Sequence, residues 1–544
     1  MDAYAAGMTR IDGHAGQQAV AALQAFDIDV MFTLNGGHIW PFYEAARDRG
    51  MRVVDTRHEQ SATFAAEAYA KLTRKPGLAA LTAGPGVTNG VSAVTSAHFN
   101  GSPLVVLGGR APAARWGAGS LQEFDHVPVL TPITKRAATV TEPTTVGQVV
   151  HDAVRLATEP HRGPVFLDFP LDVFGPSGGD VPDTGSREGA APDPAAVTRL
   201  AELIAGAERP AFLVGSDAYW DGAWHELEAA AQAFGIPCFF NGLGRGMLAA
   251  DHPHTFLRTR RLLKQRADLV VVVGTPLDFR VGFGRFGEAQ VAHVVDAASQ
   301  IAGHVAAPTV VGDIAKTLRG LADYSGDRVD HSGWLAELRT AENASVAAEA
   351  PLLAADSDPI KPTRIYGELR KRLERDAVVI CDGGDFVSYA GKYVEVHQPG
   401  GWLDTGPYGC LGNGMGYAIA ARVVRPDAQI VVMLGDGAAG FSLMDVDSLV
   451  RHNLPVVIVV GNNSIWGLEK HPMQMIYGWD IACDLQPDTR YDEVVKSLGG
   501  GGEMVTRPDE IGPALDRAFA SGIPYLVNIM TDPSDVYPRS SNLA

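Results

Sequence analysis

Cysteine is scarce in this chain. Four occur in 544 residues, Cys238, Cys381, Cys410 and Cys483, and no two are spaced as Cys-x-x-Cys. A disulfide framework and a cysteine zinc site are therefore excluded, and a reducing, cytoplasmic setting is expected. Long apolar runs are also missing. None approaches the ~18 residues of a membrane helix, so no membrane partner is expected. The opening Met1-Asp2-Ala3-Tyr4 has neither the basic region nor the apolar stretch of a secretory signal. Positive charge is short as well, with 45 Lys and Arg against 63 Asp and Glu and a net charge of −18. A nucleic-acid binder needs a basic footprint, so nucleic acid is excluded as a partner.

What the chain has is core. Hydrophobic residues make up 46% and charged residues 20%, the balance of a soluble globular protein. At ~150 residues per domain, the length predicts three or four domains. Two stretches read as linkers. Residues 174–194 are rich in Gly, Pro and Asp, and 341–362 are Ala-rich before a break at Asp356-Ser357-Asp358-Pro359. They divide the chain into blocks 1–175, 195–345 and 360–544.

Each block repeats a short β-branched apolar run, a Gly or Asp at its end, and a helical stretch. The runs are 30–34, 78–82, 104–107 and 165–169, then 211–214, 269–273 and 309–311, then 377–380, 430–434, 456–460 and 525–529. Continuous apolar strands alternating with helices predict parallel sheets covered on both faces. The fold class read from the sequence is α/β, with three doubly wound parallel-sheet domains. Ligands in such sheets sit beyond the carboxyl ends of strands.

The densest pattern follows two strands of the third block. The run 430–434 ends in Gly435-Asp436-Gly437, and 456–460 ends in Gly461-Asn462-Asn463. Asp436 and Asn463 stand 27 residues apart. One strand–helix–strand unit lies between them, so both side chains reach the same sheet edge. A carboxylate and an amide oxygen are hard ligands, suited to Mg²⁺ carrying a diphosphate. The glycines admit backbone N–H groups to phosphate oxygens, and Ala438-Ala439 open a helix whose N-terminus favours an anion. Singly, the Asp reads as a helix cap and the Asn as a turn residue. Together at this spacing they read as a cofactor site.

Gly-Asp-Gly followed by Asn-Asn is the thiamin-diphosphate motif. Here the chain resembles the thiamin-diphosphate-dependent enzymes of the acetohydroxyacid synthase and oxalyl-CoA decarboxylase type, over nearly its whole length. The resemblance implies a pyrimidine-binding domain at 1–175 and a central FAD- or ADP-binding-like domain at 195–345. It implies a diphosphate- and Mg²⁺-binding domain with a C-terminal lid at 360–544. It also implies Mg²⁺ on Asp436, Asn463 and the carbonyl of Ile465, with Gly435, Gly437, Ala438, Ala439, Trp466 and Gly467 as further cofactor contacts.

In the first block, Arg57-His58-Glu59-Gln60 follows a strand near 52–55 and precedes a helix. A carboxylate there is a helix cap or a pKa-tuned group. The resemblance assigns Glu59 to the aminopyrimidine ring, where it stabilises the imino tautomer. Gly84-Pro85-Gly86-Val87-Thr88-Asn89 and Arg162 through Pro170 resemble further landmarks. Gly406 through Gly412 resembles the segment that folds the cofactor into a V, with Leu411 as wedge and the Gly409 carbonyl as acceptor. Leu411 also reads as a core leucine beside a glycine turn. Glu59 and Asp436 lie in different domains, and the resemblance implies a homodimer at least, with a homotetramer expected.

Gly282-Phe283-Gly284-Arg285-Phe286-Gly287 fits Gly-x-Gly-x-x-Gly but does not join a strand directly to a helix, so the dinucleotide reading is rejected. Gly274 through Arg280 instead resembles the segment that binds FAD in acetohydroxyacid synthases and ADP in oxalyl-CoA decarboxylases. Arg260, Arg280 and Asp296 are the candidates for that nucleotide, with plain ion pairs as the alternative for the arginines.

Thiamin chemistry makes or breaks a C–C bond beside a carbonyl. The whole-chain pattern looks closest to actinobacterial 2-hydroxyacyl-CoA lyases. The expected reaction is cleavage of a CoA-thioester substrate, such as 2-hydroxyisobutyryl-CoA, to a ketone or aldehyde plus formyl-CoA. The alternative is an acetohydroxyacid synthase that joins two 2-keto acids with loss of CO₂. Typical synthases carry Leu-Gly-Met-Val-x-Gln-Trp where this chain has Ile465-Trp466-Gly467-Leu468-Glu469. Glu469 suits proton transfer or is a first-turn helix Glu. The tail 532–544, with Tyr537-Pro538-Arg539, is long enough to cover a site mouth and reach CoA phosphates, or it is a frayed end. Gln122 matches a substrate-side Gln of both families. His38, Glu469 and Glu493 are the candidates for proton transfer, with Glu493 also a lid contact.

Overall fold

The computed structural model describes residues 7–183 and 189–538. The first domain opens with β1 (Met8–Ile11), which pairs antiparallel with β8 (Gly179–Pro182) at the domain's end. Between them β2 (Val30–Thr33), β3 (Arg52–Asp55), β4 (Gly77–Leu81), β5 (Leu104–Arg110), β6 (Arg136–Thr139) and β7 (Pro164–Pro170) form a parallel sheet in the order β3-β2-β4-β5-β7-β6. The central sheet holds β9 (Pro210–Val214), β10 (Cys238–Phe240), β11 (Leu269–Val273), β12 (Gln290–Val295) and β13 (Thr309–Val311), ordered β10-β9-β11-β12-β13. The third holds β14 (Val378–Asp382), β15 (Trp402–Leu403), β16 (Ile430–Gly435), β17 (Val457–Asn462), β18 (Gly501–Val505) and β19 (Tyr525–Met530), ordered β15-β14-β16-β17-β19-β18.

The architecture follows from the residue pattern. Strands such as Leu269–Val273 and Gly77–Leu81 are buried along their whole length. A strand apolar on both faces is stable only between two helical layers. Among the described residues, no helix is long and apolar enough to cross a membrane, and all four cysteines are free thiols.

The stretch 341–362 is not a loop for most of its length. The helix Ser332–Leu353 runs through it, because alanine favours helix over coil. The earlier stretch also contains β8.

The first and third domains pack through the helices Glu59–Thr73 and Asn413–Val424. Gly416 permits this approach, since a Cβ there would lie 2.6 Å from the carbonyl oxygen of Ser61. A buried ion pair within the first of these helices meets Tyr417 across the same interface. Lys71 Nζ lies 3.0 Å from Glu67 Oε1 and donates to Tyr417 Oη at 2.6 Å, and Tyr417 donates to Glu67 Oε2 at 2.8 Å. Asn100 Nδ2 and Ser102 Oγ also donate to Glu67 Oε1. Lys71→Ala would strand the buried carboxylate. The expected loss of stability is about 3–5 kcal/mol, measured by denaturant unfolding.

Candidate active site

Two candidate faces form, one on each outer domain. The third domain carries the first. β16 ends at Gly435, and Asp436 begins a short helix, Asp436–Ser442. Asp436 is 4% exposed. Its Oδ1 accepts from Gly437 N at 2.9 Å and its Oδ2 from Ser464 N at 2.6 Å. Burial pushes this carboxyl up to about 6, against those backbone donors. A carboxylate at a strand end, held only by backbone N–H groups, is what a divalent cation would complete.

The two asparagines divide their work. Asn462 turns into the fold, where its amide nitrogen donates to Asn528 Oδ1 and Thr489 O, both at 3.2 Å. Asn463 lines the cleft, and its Oδ1 accepts from Ile465 N at 3.3 Å. Ser464 takes a left-handed conformation, φ +58°, which reverses the chain and sets Ile465 on the cleft wall. The Trp466 ring closes over Gly437, where a Cβ would stand 2.4 Å from it. Glycine is required there by the indole.

The segment 404–412 forms the opposite wall. Asp382, fully buried at the end of β14, accepts from Gly412 N at 3.0 Å and Gly414 N at 2.9 Å. Burial pushes it up to about 7, opposed by these donors. This clamp fixes Leu411 and Gly409 on the cleft. Gly409 has φ +68° and open space where a Cβ would lie. Asp382→Ala is expected to weaken thiamin diphosphate binding about tenfold, through a loosened turn. Titration calorimetry with the cofactor checks this.

The cleft has a volume of about 550 Å³. Gly435, Asp436, Gly437, Ala438, Asn463, Ile465, Trp466, Gly467 and Glu469 line it, while Ala439 lies buried just behind. The donor set fits Mg²⁺ with a diphosphate, because the buried carboxylate of Asp436, the amide of Asn463 and the backbone at Ile465 line one cleft beside glycines. Glu469 sits in the first turn of Gly467–Tyr477, a helix with no buried residue. Arg280 enters from the central domain and is, among the described residues, the only lysine or arginine on the cleft wall. Asp278 holds it at 2.6 Å. Arg260 donates to the carbonyl of Arg280 at 2.8 Å, and burial lowers its own guanidinium to about 10. The segment after β19 runs along the mouth. Asp535 lines the cleft and bonds to Tyr389 Oη at 2.5 Å and Lys361 Nζ at 3.0 Å, and Tyr537 packs edge-on against Tyr389. Arg539 lies outside the described residues.

The second face belongs to the first domain. Glu59 opens the helix Glu59–Thr73 and is 6% exposed. Its Oε2 accepts from Asn89 Nδ2 at 3.0 Å. His38, just after β2, is buried, and its Nδ1 lies 3.3 Å from Thr82 Oγ1. Burial holds its pKa below the usual histidine value, with a hydrogen bond to the Leu121 backbone opposing. Gln122 has φ +58° and lies against Gly84. The structure thus gathers Glu59, His38 and Gln122 at one edge of the sheet.

Two residue groups fall elsewhere. Glu493 is half exposed and paired with Arg490 at 3.0 Å and Lys496 at 2.9 Å, and it does not line the cleft. Asp296 lies 3.2 Å from His161 Nδ1, beside Asp217, and of the three nucleotide candidates Arg280 alone lines the cleft. Gly282 and Phe283 are left-handed within a kinked 3₁₀ segment, so the rejected glycine motif is a loop. Sequence reasoning missed the roles of Asp382 and of Asn462. It quoted Asn89 without seeing that it holds Glu59.

Among the described residues, none of the first domain lines the cleft. Around these faces Leu121, Trp40, Phe441 and Met444 stay exposed, and Phe99 stacks on exposed Tyr408 at 5.3 Å.

The comparisons agree with this geometry. Three family models match: thiamine pyrophosphate enzyme, N-terminal TPP binding domain, over residues 14–129; its central domain over 197–321; and its C-terminal TPP binding domain over 382–529. The acetolactate synthase large subunit IlvG of Mycobacterium tuberculosis is 49% identical over 538 residues, covering 98% of both chains. The 2-hydroxyacyl-CoA lyase 2 of Caenorhabditis elegans is 34% identical over 558 residues, covering 93% of this chain and 87% of that protein. The human protein of the same name is 31% identical over 581 residues, covering 96% and 90%.

Proposed function

This chain belongs to the thiamine pyrophosphate enzymes and is like the acetohydroxyacid synthases, and within that family we propose that it joins two 2-keto acids with loss of CO₂. Arg280 carries the reading. A 2-keto acid brings a carboxylate into a cleft lined by Asp385, Asp404, Asp436, Glu469 and Asp535, and Arg280 is the one cation on that wall. A guanidinium is the preferred partner for a carboxylate. The relative at 49% identity, named an acetolactate synthase, adds support.

Bound thiamin diphosphate supplies the nucleophilic carbon and takes up the electrons of the broken bond. The chain does the rest. Asp436, Asn463 and the Ile465 carbonyl would hold Mg²⁺, and the Gly435–Ala439 turn would receive the diphosphate. Glu59, steadied by Asn89, holds a proton at the pyrimidine ring. Leu411 would support the cofactor from the cleft wall, and Gln122 and His38 would face the substrate. The first domain of one copy completes the cleft of another, so the working unit is a homodimer at least. The exposed apolar side chains around both faces support that assembly.

A second reading, cleavage of a 2-hydroxyacyl-CoA to formyl-CoA and a ketone or aldehyde, is favoured by Glu469 on the wall and by the segment 532–538 along the mouth. In that case Glu469 moves the proton. Arg280→Ala separates the two. For a synthase it raises KM for pyruvate about 10- to 100-fold, the loss of a charged hydrogen bond. Unchanged pyruvate kinetics in steady-state assays would count against the synthase reading.

A further inference from the structure

His126 lies four residues beyond Gln122 and is completely buried. Its Nε2 is 2.9 Å from the backbone nitrogen of Gly84. That N–H is a donor, so Nε2 carries a lone pair. Its Nδ1 is 3.0 Å from Asp168 Oδ2. A carboxylate accepts, so Nδ1 carries the proton. One neutral tautomer satisfies both contacts, and the other satisfies neither.

The ring ties together two elements of the first-domain face. Gly84, at φ +61° and ψ −115°, leads into the helix Pro85–Phe99. That helix brings Asn89 onto Glu59. On the other side is the loop of Gln122. A Cβ on Gly84 would stand 2.9 Å from the Gln122 Cβ, so turn and loop are in van der Waals contact. Gln122 itself is left-handed, a conformation that costs a non-glycine residue about 1 kcal/mol or more. It persists only where its surroundings hold it.

We propose that His126 is a positioning residue for the reaction, locking the Gly84 turn and the Gln122 loop in register through its neutral Nδ1-protonated tautomer. The proposal rests on the thiamin reading. A side chain without an acceptor at the Nε2 position would lose the bond to Gly84, and the turn would part from the loop. Asp168 on β7 anchors the opposite edge of the ring and is itself held by Arg110 on β5. Arg110 lies 2.8 Å from Asp168 and 3.0 Å from Asp125.

The test compares two amides in the holoenzyme. His126→Gln places a carbonyl near the Nε2 position, where it accepts from Gly84 and cannot be protonated. His126→Asn reaches Asp168 but not Gly84. The expected result is similar losses of melting temperature, with kcat about tenfold lower for Asn than for Gln. Equal kcat losses for the two amides overturn the proposal. Glu59→Gln runs alongside. If it turns over like the wild type, the thiamin reading itself fails. If it is inactive while the amides are equal, only the His126 proposal fails.

Discussion

Glu59→Gln is expected to lower turnover about 10³-fold or more while the protein stays folded and still binds Mg²⁺ with thiamin diphosphate. Glutamine keeps the shape, and Asn89 can still hydrogen-bond to its carbonyl oxygen. What it lacks is an ionisable proton site toward the pyrimidine ring. Steady-state turnover and cofactor titration on the same preparation separate the two effects. A tenfold loss or less would place the activating group elsewhere on the face, with His38 the next candidate.

Asp436→Ala is expected to fail differently. It removes a proposed metal ligand, so affinity for thiamin diphosphate with Mg²⁺ is expected to fall by about two orders of magnitude, near 3 kcal/mol, read by calorimetry. The two variants also test the shared cleft. Each alone is inactive. A mixed dimer pairs the intact first-domain face of the Asp436→Ala chain with the intact third-domain face of the Glu59→Gln chain, and regains one working site. Co-expression that restores no activity would mean that each chain builds its site alone.

The same carboxylate sets a pH dependence. Burial raises Asp436 to about 6, above the ~3.9 of an unfolded aspartate. Between these values the metal-free native state holds a proton that the unfolded chain has lost. Stability of the metal-free protein therefore falls as pH rises from about 4 to about 6, by up to about 3 kcal/mol. Asp436→Asn removes this component, and Mg²⁺ reverses it by favouring the ionised form. Thermal unfolding in chelator across that range, wild type against Asp436→Asn, checks both statements.

The strands were legible where burial on both faces wrote a continuous apolar run. Leu269–Val273 and Thr309–Val311 match the runs residue for residue. Strands β18, which begins Gly501-Gly502, and β10, of three residues, carry no such run and were not read. The alanines of 341–353 were mistaken for linker because they lack an apolar period, although their intrinsic preference is helical. In the site, Asp436 and Asn463 were legible because strand ends impose their spacing. The inward turn of Asn462 was not, since it depends on Asn528 on a third strand, 66 residues away. Glu493 and Asp296 were read as functional from segment likeness alone. Local cations satisfy the first, and a histidine from another domain satisfies the second.

The most direct test of the proposed activity is product analysis of the purified protein with Mg²⁺, thiamin diphosphate and either pyruvate or 2-hydroxyisobutyryl-CoA, each offered alone. The account predicts acetolactate and CO₂ from pyruvate and no formyl-CoA from the thioester. Formyl-CoA and acetone from the thioester, with no acetolactate from pyruvate, would contradict the synthase reading and make Glu469 the first residue to replace.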